Sequence, residues 1–267
     1  MENKEGTIAG PFSSLCPGNM PFGRDSPRSL NCILSQQSSE IQLAHSPQLL
    51  KEIEGAVSRE RLKRYLAATS QDLDRAIFLY EQNVALSEMT FGLLHGLEVA
   101  VRNSMHDQLS LHFKTPYWFN KAHLSNYSQD KIAAAVRDAG GPSASPGKVV
   151  AELMFGFWTD LAAQRYHWTL WQPCLSVAFP SGKLARPVIH RRLEDIRWLR
   201  NRVAHHEPIL TSGRSLYAGH QKRISLAQLT ECGDWISPSV GGWLRTHFRF
   251  AEATAIVEAA ATSGWAL

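Results

Sequence analysis

The chain lacks most of the short motifs that announce a known chemistry. Its four cysteines, Cys16, Cys32, Cys174 and Cys232, lie far apart with no C-x-x-C pair. That argues against a structural zinc site, a redox dithiol or a disulfide-dense secreted scaffold. No glycine-rich phosphate loop and no Gly-x-Ser-x-Gly elbow occurs, which weakens nucleotide-hydrolase and esterase readings. The N-terminus has no basic region followed by an apolar run, so no secretory signal is expected. No stretch approaches the roughly 18–20 consecutive apolar residues of a membrane span. The expectation is a cytoplasmic protein without membrane contact. Convincing alternating strands are also missing; the best candidate, around "SLYAGHQKRI", is short.

What is present suits a soluble globular protein. With 267 residues, 44% of them hydrophobic and 19% charged, the chain can bury one sizeable core, or one core plus an appendage. The net charge of +4 is compatible with an RNA partner but is no footprint by itself. Residues 1 to about 45 mix Gly, Pro, Ser and Asn with scattered apolar residues of no period. They read as a poorly ordered leader, with Ile33 and Leu34 the best candidates for a docked piece.

Helical patterning begins near residue 48 and becomes strong after Ser58, within a helical domain expected over residues 46–267. Ser58 is a good N-cap for "RERLKRYLAA". Thr69, with Asp72 three places on, is expected to open a long helix, or two collinear ones, reaching "LSLHF". Its stripe is read as Leu73, Ile77, Tyr80, Val84, Ser87, Phe91, Leu94, Glu98, Val101, Met105 and Leu109, with Gly92 and Gly96 the places for a bend. Further helices are expected from Ser128 to Gly140, from Pro146 after Ser145, around Gly156, over "RPVIHRRLEDIRWLRNRVAHHEP" ended by Pro208, and at about 225–234 and 238–261, the last broken near His247. The predicted fold class is all-α.

Residues Leu199 to Ile209 read Leu-Arg-Asn-Arg-Val-Ala-His-His-Glu-Pro-Ile. This block resembles the signature of the HEPN superfamily: an Arg, a polar residue, then a His about five to seven positions after the Arg. Arg200, Asn201 and His205 match it, with His206 as the alternative histidine. The nearer resemblance is to the abortive-infection (Abi-like) branch. It rests on three blocks in order: residues 61–109, Phe155-Gly156-Phe157-Trp158, and "RNRVAHHEPI". It covers about residues 58–210 and implies a HEPN-like helical bundle with extra C-terminal helices.

The resemblance implies a metal-independent endoribonuclease of a bacterial abortive-infection or toxin-type defence system. It further implies a homodimer with a composite active site, no cofactor, and an antitoxin protein as a further partner. It equally accommodates a catalytically inactive relative that binds RNA or a partner protein. The residues suit the chemistry. A histidine moves protons near neutral pH, and an arginine offers a permanently charged fork to phosphate oxygens.

A helical wheel at about 100° per residue separates the two histidines. The apolar stripe Ile189, Leu193, Ile196, Leu199, Val203 runs on to His206, which is expected to face the packing surface. His205 lies about 40° from Asn201 on another face and is the better catalytic candidate. Arg200 and His205 stand about 140° apart on an ideal helix. Either the helix distorts before Pro208, or a second copy completes the site.

Glu98, Arg102, Asn103 and His106 form a second polar group. It reads either as a local Glu98–Arg102 pair or as support for the motif helix. The basic run Lys183, Arg186, Arg191, Arg192, Arg197, Arg200 and Arg202 can track a phosphate backbone, with Arg197 and Arg202 the RNA-binding candidates. Glu194 and Asp195 interrupt it, so a salt-bridged face competes. A metal site at His190, His205, His206 and Glu207 fits no common ligand spacing. The aromatic residues Phe155, Phe157, Trp158, Trp168 and Trp171 read as core in preference to a base-stacking platform.

Overall fold

The computed structural model describes residues 45–182, 184–219 and 222–263. The expected leader, the docking of Ile33 and Leu34, and Lys183 of the basic run lie outside them. The described chain is all-α. It runs α1 (Pro47–Val57), α2 (Arg59–Ala68), α3 (Leu73–Phe113), α4 (Asn126–Asp138), α5 (Pro146–Glu152), α6 (Phe155–Leu161), α7 (Arg186–Ala204), α8 (Leu226–Ile236), α9 (Pro238–His247) and α10 (Phe250–Ser263). A short antiparallel hairpin, β1 (Leu216–Gly219) and β2 (Lys222–Ile224), stands where the strand candidate was read.

The 41-residue α3 is the axis of the molecule, about 60 Å long at 1.5 Å per residue. Against it pack α2, α6, α7, α8, α10 and a 3₁₀ turn at Leu175–Ala178. By length and composition alone α3 could cross a membrane, since one 18-residue window has a mean hydropathy of 1.3. Its apolar side is the core of the bundle: Leu79, Leu86, Leu93, Leu97, Val101, Met105 and Leu109 are all buried.

The buried stripe of α3 follows the one read from the sequence only in part: Ile77, Leu94, Val101, Met105 and Leu109 are buried as expected. Val84 and Phe91 are exposed, Phe91 by 51%, whereas Asn83, Thr90 and Leu97 face inward. Helices pack on α3 from several sides, so its burial spreads around the axis and a single periodic stripe misplaces the centre. Gly92 and Gly96 make no break in the helix. Gly96 instead gives room to the α9–α10 corner, because a Cβ there would lie 2.9 Å from the Phe248 ring.

Helix starts differ from the reading in two places. Asp72, not Thr69, caps α3, its carboxylate accepting from the Arg75 amide at 3.1 Å, while Thr69 closes α2. Helix α4 begins at Asn126 under Ser125, and Ser128 is buried with its hydroxyl against Tyr166 at 2.9 Å. Elsewhere the local signals act as expected. Ser58 closes α1 and caps α2, Pro146 opens α5, and Ser237-Pro238 opens α9.

Candidate functional site

The motif occupies the C-terminal end of α7. Ile189, Leu193, Ile196, Leu199 and Val203 are buried, and this stripe fixes which way every other side chain of the helix points. The helix is regular to Ala204, with His205 as its cap residue at φ −93 and its amide bonded to the Asn201 carbonyl at 2.9 Å. No distortion intervenes between Arg200 and His205. One copy of the helix therefore presents the two residues on separate faces.

The chain reverses one residue later. His206 takes φ 56, the left-handed conformation in which glycine is usual at this position. Its amide donates to the Val203 carbonyl at 3.1 Å and the Glu207 amide to the Arg202 carbonyl at 2.8 Å, the two bonds of a Schellman cap. The cap's usual apolar contact is replaced by an ion pair, Arg202 to Glu207 at 2.8 Å. His206 is accordingly exposed rather than turned toward the core. The wheel misplaced it because the helix ends before reaching it.

His205 is also exposed, and Asn201 is half-buried. Arg200 leans toward α3, where its Nε lies 3.6 Å from the Glu98 carboxylate. Its side chain is 29% exposed, so the guanidinium is held at one edge and open at the other. Glu98 thus pairs across helices, not with Arg102, whose Nε donates instead to the Asn103 side chain at 3.5 Å.

His106 sits farther along α3. Its Nδ1 accepts a hydrogen bond from the Trp118 indole at 2.9 Å, which places the ring proton on Nε2. Burial lowers the pKa of His106, Asp107 opposes that effect and Arg102 adds to it.

The two arginines expected to bind RNA are already committed. Arg202 is 13% exposed, donates twice to the Pro208 carbonyl, pairs with Glu207 and lies over the Tyr217 ring at 4.5 Å. It is a staple that ties the chain after Pro208 to the helix. Arg197 is forked onto Glu194 through Nε and Nη2 at 3.0 and 2.7 Å. Burial works to raise the Glu194 carboxyl, but the bonds from Arg197 and Thr159 outweigh it and hold its pKa below the usual carboxylate value. The competing, salt-bridged reading fits both residues.

Free positive charge near the motif comes from other elements. Arg64 of α2 and Arg223 of β2 are exposed and flank the same Tyr217 ring at 5.7 and 5.0 Å. Arg61 of α2 donates to the His206 carbonyl at 2.6 Å. A second unforeseen residue is Asn83, 3% exposed, whose side-chain oxygen accepts from the Ile209 and Leu210 amides at 2.8 and 3.0 Å. It fixes the segment after the motif to α3. A polar residue in the apolar half of α3 was its sequence signal.

Of the aromatic residues, Phe155, Phe157, Trp158 and Trp171 are buried, and Trp168 stands 72% exposed. Among the described residues no group of three or more His, Cys, Asp or Glu is placed to hold a metal ion.

Comparison with protein-family models, with curated proteins and with solved structures finds no match to the chain.

Proposed function

We propose that the protein is a metal-independent endoribonuclease that cleaves RNA by attack of the 2′-hydroxyl on the adjacent phosphate. The observation that carries the reading is an open His205 at the end of α7 together with, on the same helix, Arg200, a guanidinium tethered to Glu98 yet still accessible. His205 transfers the proton, Arg200 holds the phosphate oxygens, and Asn201 orients one of them. The 2′-oxygen bonds to phosphorus as the bond to the 5′-oxygen breaks. The products are a 2′,3′-cyclic phosphate and a 5′-hydroxyl. DNA lacks the nucleophile and is inert.

Because Arg200 and His205 sit on different faces of one regular helix, the working site is composite in this reading. The arginine of one protomer meets the histidine of its partner in a homodimer. The exposed arginines 61, 64 and 223 supply the field that draws the strand to this end of the molecule. A defence role of the abortive-infection or toxin type, restrained by an antitoxin protein, follows from the resemblance of the three sequence blocks alone.

The test is incubation of labelled RNA with purified protein, with His205→Ala and with Arg200→Ala, all in the presence of chelator. Cleavage by the unaltered protein to cyclic-phosphate ends, lost in both variants, supports the proposal. Cleavage that survives in both variants rejects the site. RNA retention without cleavage by any of the three assigns the chain to the binding modules instead.

A further inference from the structure

The opposite end of α7 carries a second, unassigned feature. A cavity of about 520 Å³ opens there, its polar lining supplied by His167, Gln172, Ser176 and Arg186 and its apolar lining chiefly by Trp171 and Leu184. That volume falls within the roughly 300–1,000 Å³ range of small-molecule sites.

Arg186 is the residue that calls for a ligand. It is 7% exposed. Its Nη1 donates to the Ala162 carbonyl at 2.7 Å and its Nη2 to the Gln164 side-chain oxygen, both uncharged acceptors. Among the described residues it forms no ion pair, and the carboxylates on neighbouring elements are occupied, Asp160 by Arg165 and Glu194 by Arg197. A guanidinium does not shed its proton in a protein. A buried one without an anion carries a standing desolvation cost that an anion in the cavity relieves.

Two independent features point the same way. His167, on the cavity wall, opens a π-helical turn, His167–Trp171, of the kind that recurs at functional sites. The 19-residue α7 also begins at this cavity. Its N-cap is Ala185, which offers no side-chain acceptor, and its first turn contains no acidic residue. The positive end of the helix dipole is left uncompensated where Arg186 already needs a counter-charge.

We propose that this cavity binds a small organic oxyanion, a phosphate monoester or a carboxylate. Arg186 and the helix terminus hold the charge. Gln172 and Ser176 give neutral hydrogen bonds, and Trp171 and Leu184 line the place of the apolar body. The cavity lies about 28 Å along the helix axis from His205, too far for its ligand to be the scissile phosphate. The proposal therefore stands whether or not the chain cleaves RNA.

The experiment is titration calorimetry of the full chain, in a buffer free of other oxyanions, against inorganic phosphate, adenosine monophosphate and citrate in separate runs. Saturable one-to-one binding of at least one probe is expected. Preference for adenosine monophosphate or phosphate assigns a phosphate ligand, and preference for citrate assigns a carboxylate. Ala185→Asp is the decisive variant. An aspartate at the N-cap favours the helix and holds or raises the melting temperature, yet it puts a carboxylate where the anion sits and should weaken binding about tenfold or more. Ser176→Trp, at an exposed edge of the cavity, should block binding while leaving Arg186 in place. Absence of heat with all three probes, or undiminished binding by folded Ala185→Asp and Ser176→Trp, overturns the proposal.

Discussion

The Arg200 guanidinium meets the Glu98 carboxylate at 3.6 Å, and this contact joins the motif helix to the central helix of the bundle. The two side chains are 29% and 24% exposed, so water screens the pair and its contribution to stability is small. A double-mutant cycle of Glu98→Gln and Arg200→Gln should give a coupling of roughly 0.5 kcal/mol in unfolding free energy. The effect on cleavage should be larger than that on stability, because Glu98 fixes where the guanidinium points. Glu98→Gln is expected to slow RNA cleavage about tenfold with little change in melting temperature. Full activity in Glu98→Gln would leave the carboxylate without a positioning role.

Asn83 is expected to matter more for folding than any residue of the motif. Its single side-chain oxygen serves two amides, those of Ile209 and Leu210, in a buried setting. Asn83→Leu leaves both donors without an acceptor and should cost about 2–4 kcal/mol in urea unfolding. Asn83→Asp keeps the acceptor and should cost less. A loss below 1 kcal/mol for Asn83→Leu, on the order of one ordinary hydrogen bond, would mean that the two amides find other partners.

These residues also show where sequence reading succeeds and stops. The stripe Ile189 to Val203 is legible because α7 buries one face only, so a period of 3.6 maps directly onto its core. The stripe of α3 is legible only in part, because neighbours cover that helix on several sides and Val84 and Phe91 fall on its open remainder. His206 escaped because the wheel assumes a helix, and a left-handed residue leaves no mark when it is not glycine. Arg61 and Arg64 were out of reach for a different reason. Each meets the motif region through contacts between residues far apart in the chain, and one sequence carries no signal of such pairings.

The left-handed His206 yields a stability prediction of its own. A Cβ in this conformation costs about 1–2 kcal/mol, and glycine removes that cost while losing part of the gain to its own backbone entropy. His206→Gly should therefore stabilise the protein by about 0.5–1 kcal/mol. For a domain of this size that is a rise of about 1–4 °C in melting temperature, read by calorimetry. A fall would show that the His206 ring contributes packing that its exposure does not suggest.

Acid sensitivity should centre on His106. Burial lowers its pKa in the folded protein, while the unfolded chain keeps the ordinary value of 6.5. Below that value the unfolded state takes up the proton first, so stability is lost as pH falls from 6.5 through the folded-state pKa and levels off beneath it. Protonation also removes the acceptor for the Trp118 indole. His190, lowered chiefly by burial as well, adds to the same slope. His45 works in the opposite sense. Its pKa is raised, first by the hydrogen bond to Asp74, so its contribution is present at low pH and fades as pH rises through the raised value. Urea titrations between pH 7.5 and 5 should show a net fall for the unaltered protein and a shallower one for His106→Gln. Equal slopes would assign the acid response to other groups.

The composite arrangement makes the sharpest prediction, because it concerns two inactive proteins that become active together. If Arg200 of one protomer works with His205 of its partner, then Arg200→Ala and His205→Ala each destroy both sites of a homodimer. A mixed dimer carries one site with both substitutions and one with neither. Random exchange of equal amounts makes about half of the dimers mixed, each with one working site of two, so cleavage should recover to about a quarter of the unaltered level. A site formed within a single protomer gives no recovery at all, since neither variant then contains an intact pair. The measurement needs only co-refolding or coexpression of the two variants and an RNA cleavage assay with chelator present. Failure to recover, in a preparation shown by mass to contain mixed dimers, would return both groups to one chain. The regular helix between Arg200 and His205 would then have to bend when RNA binds.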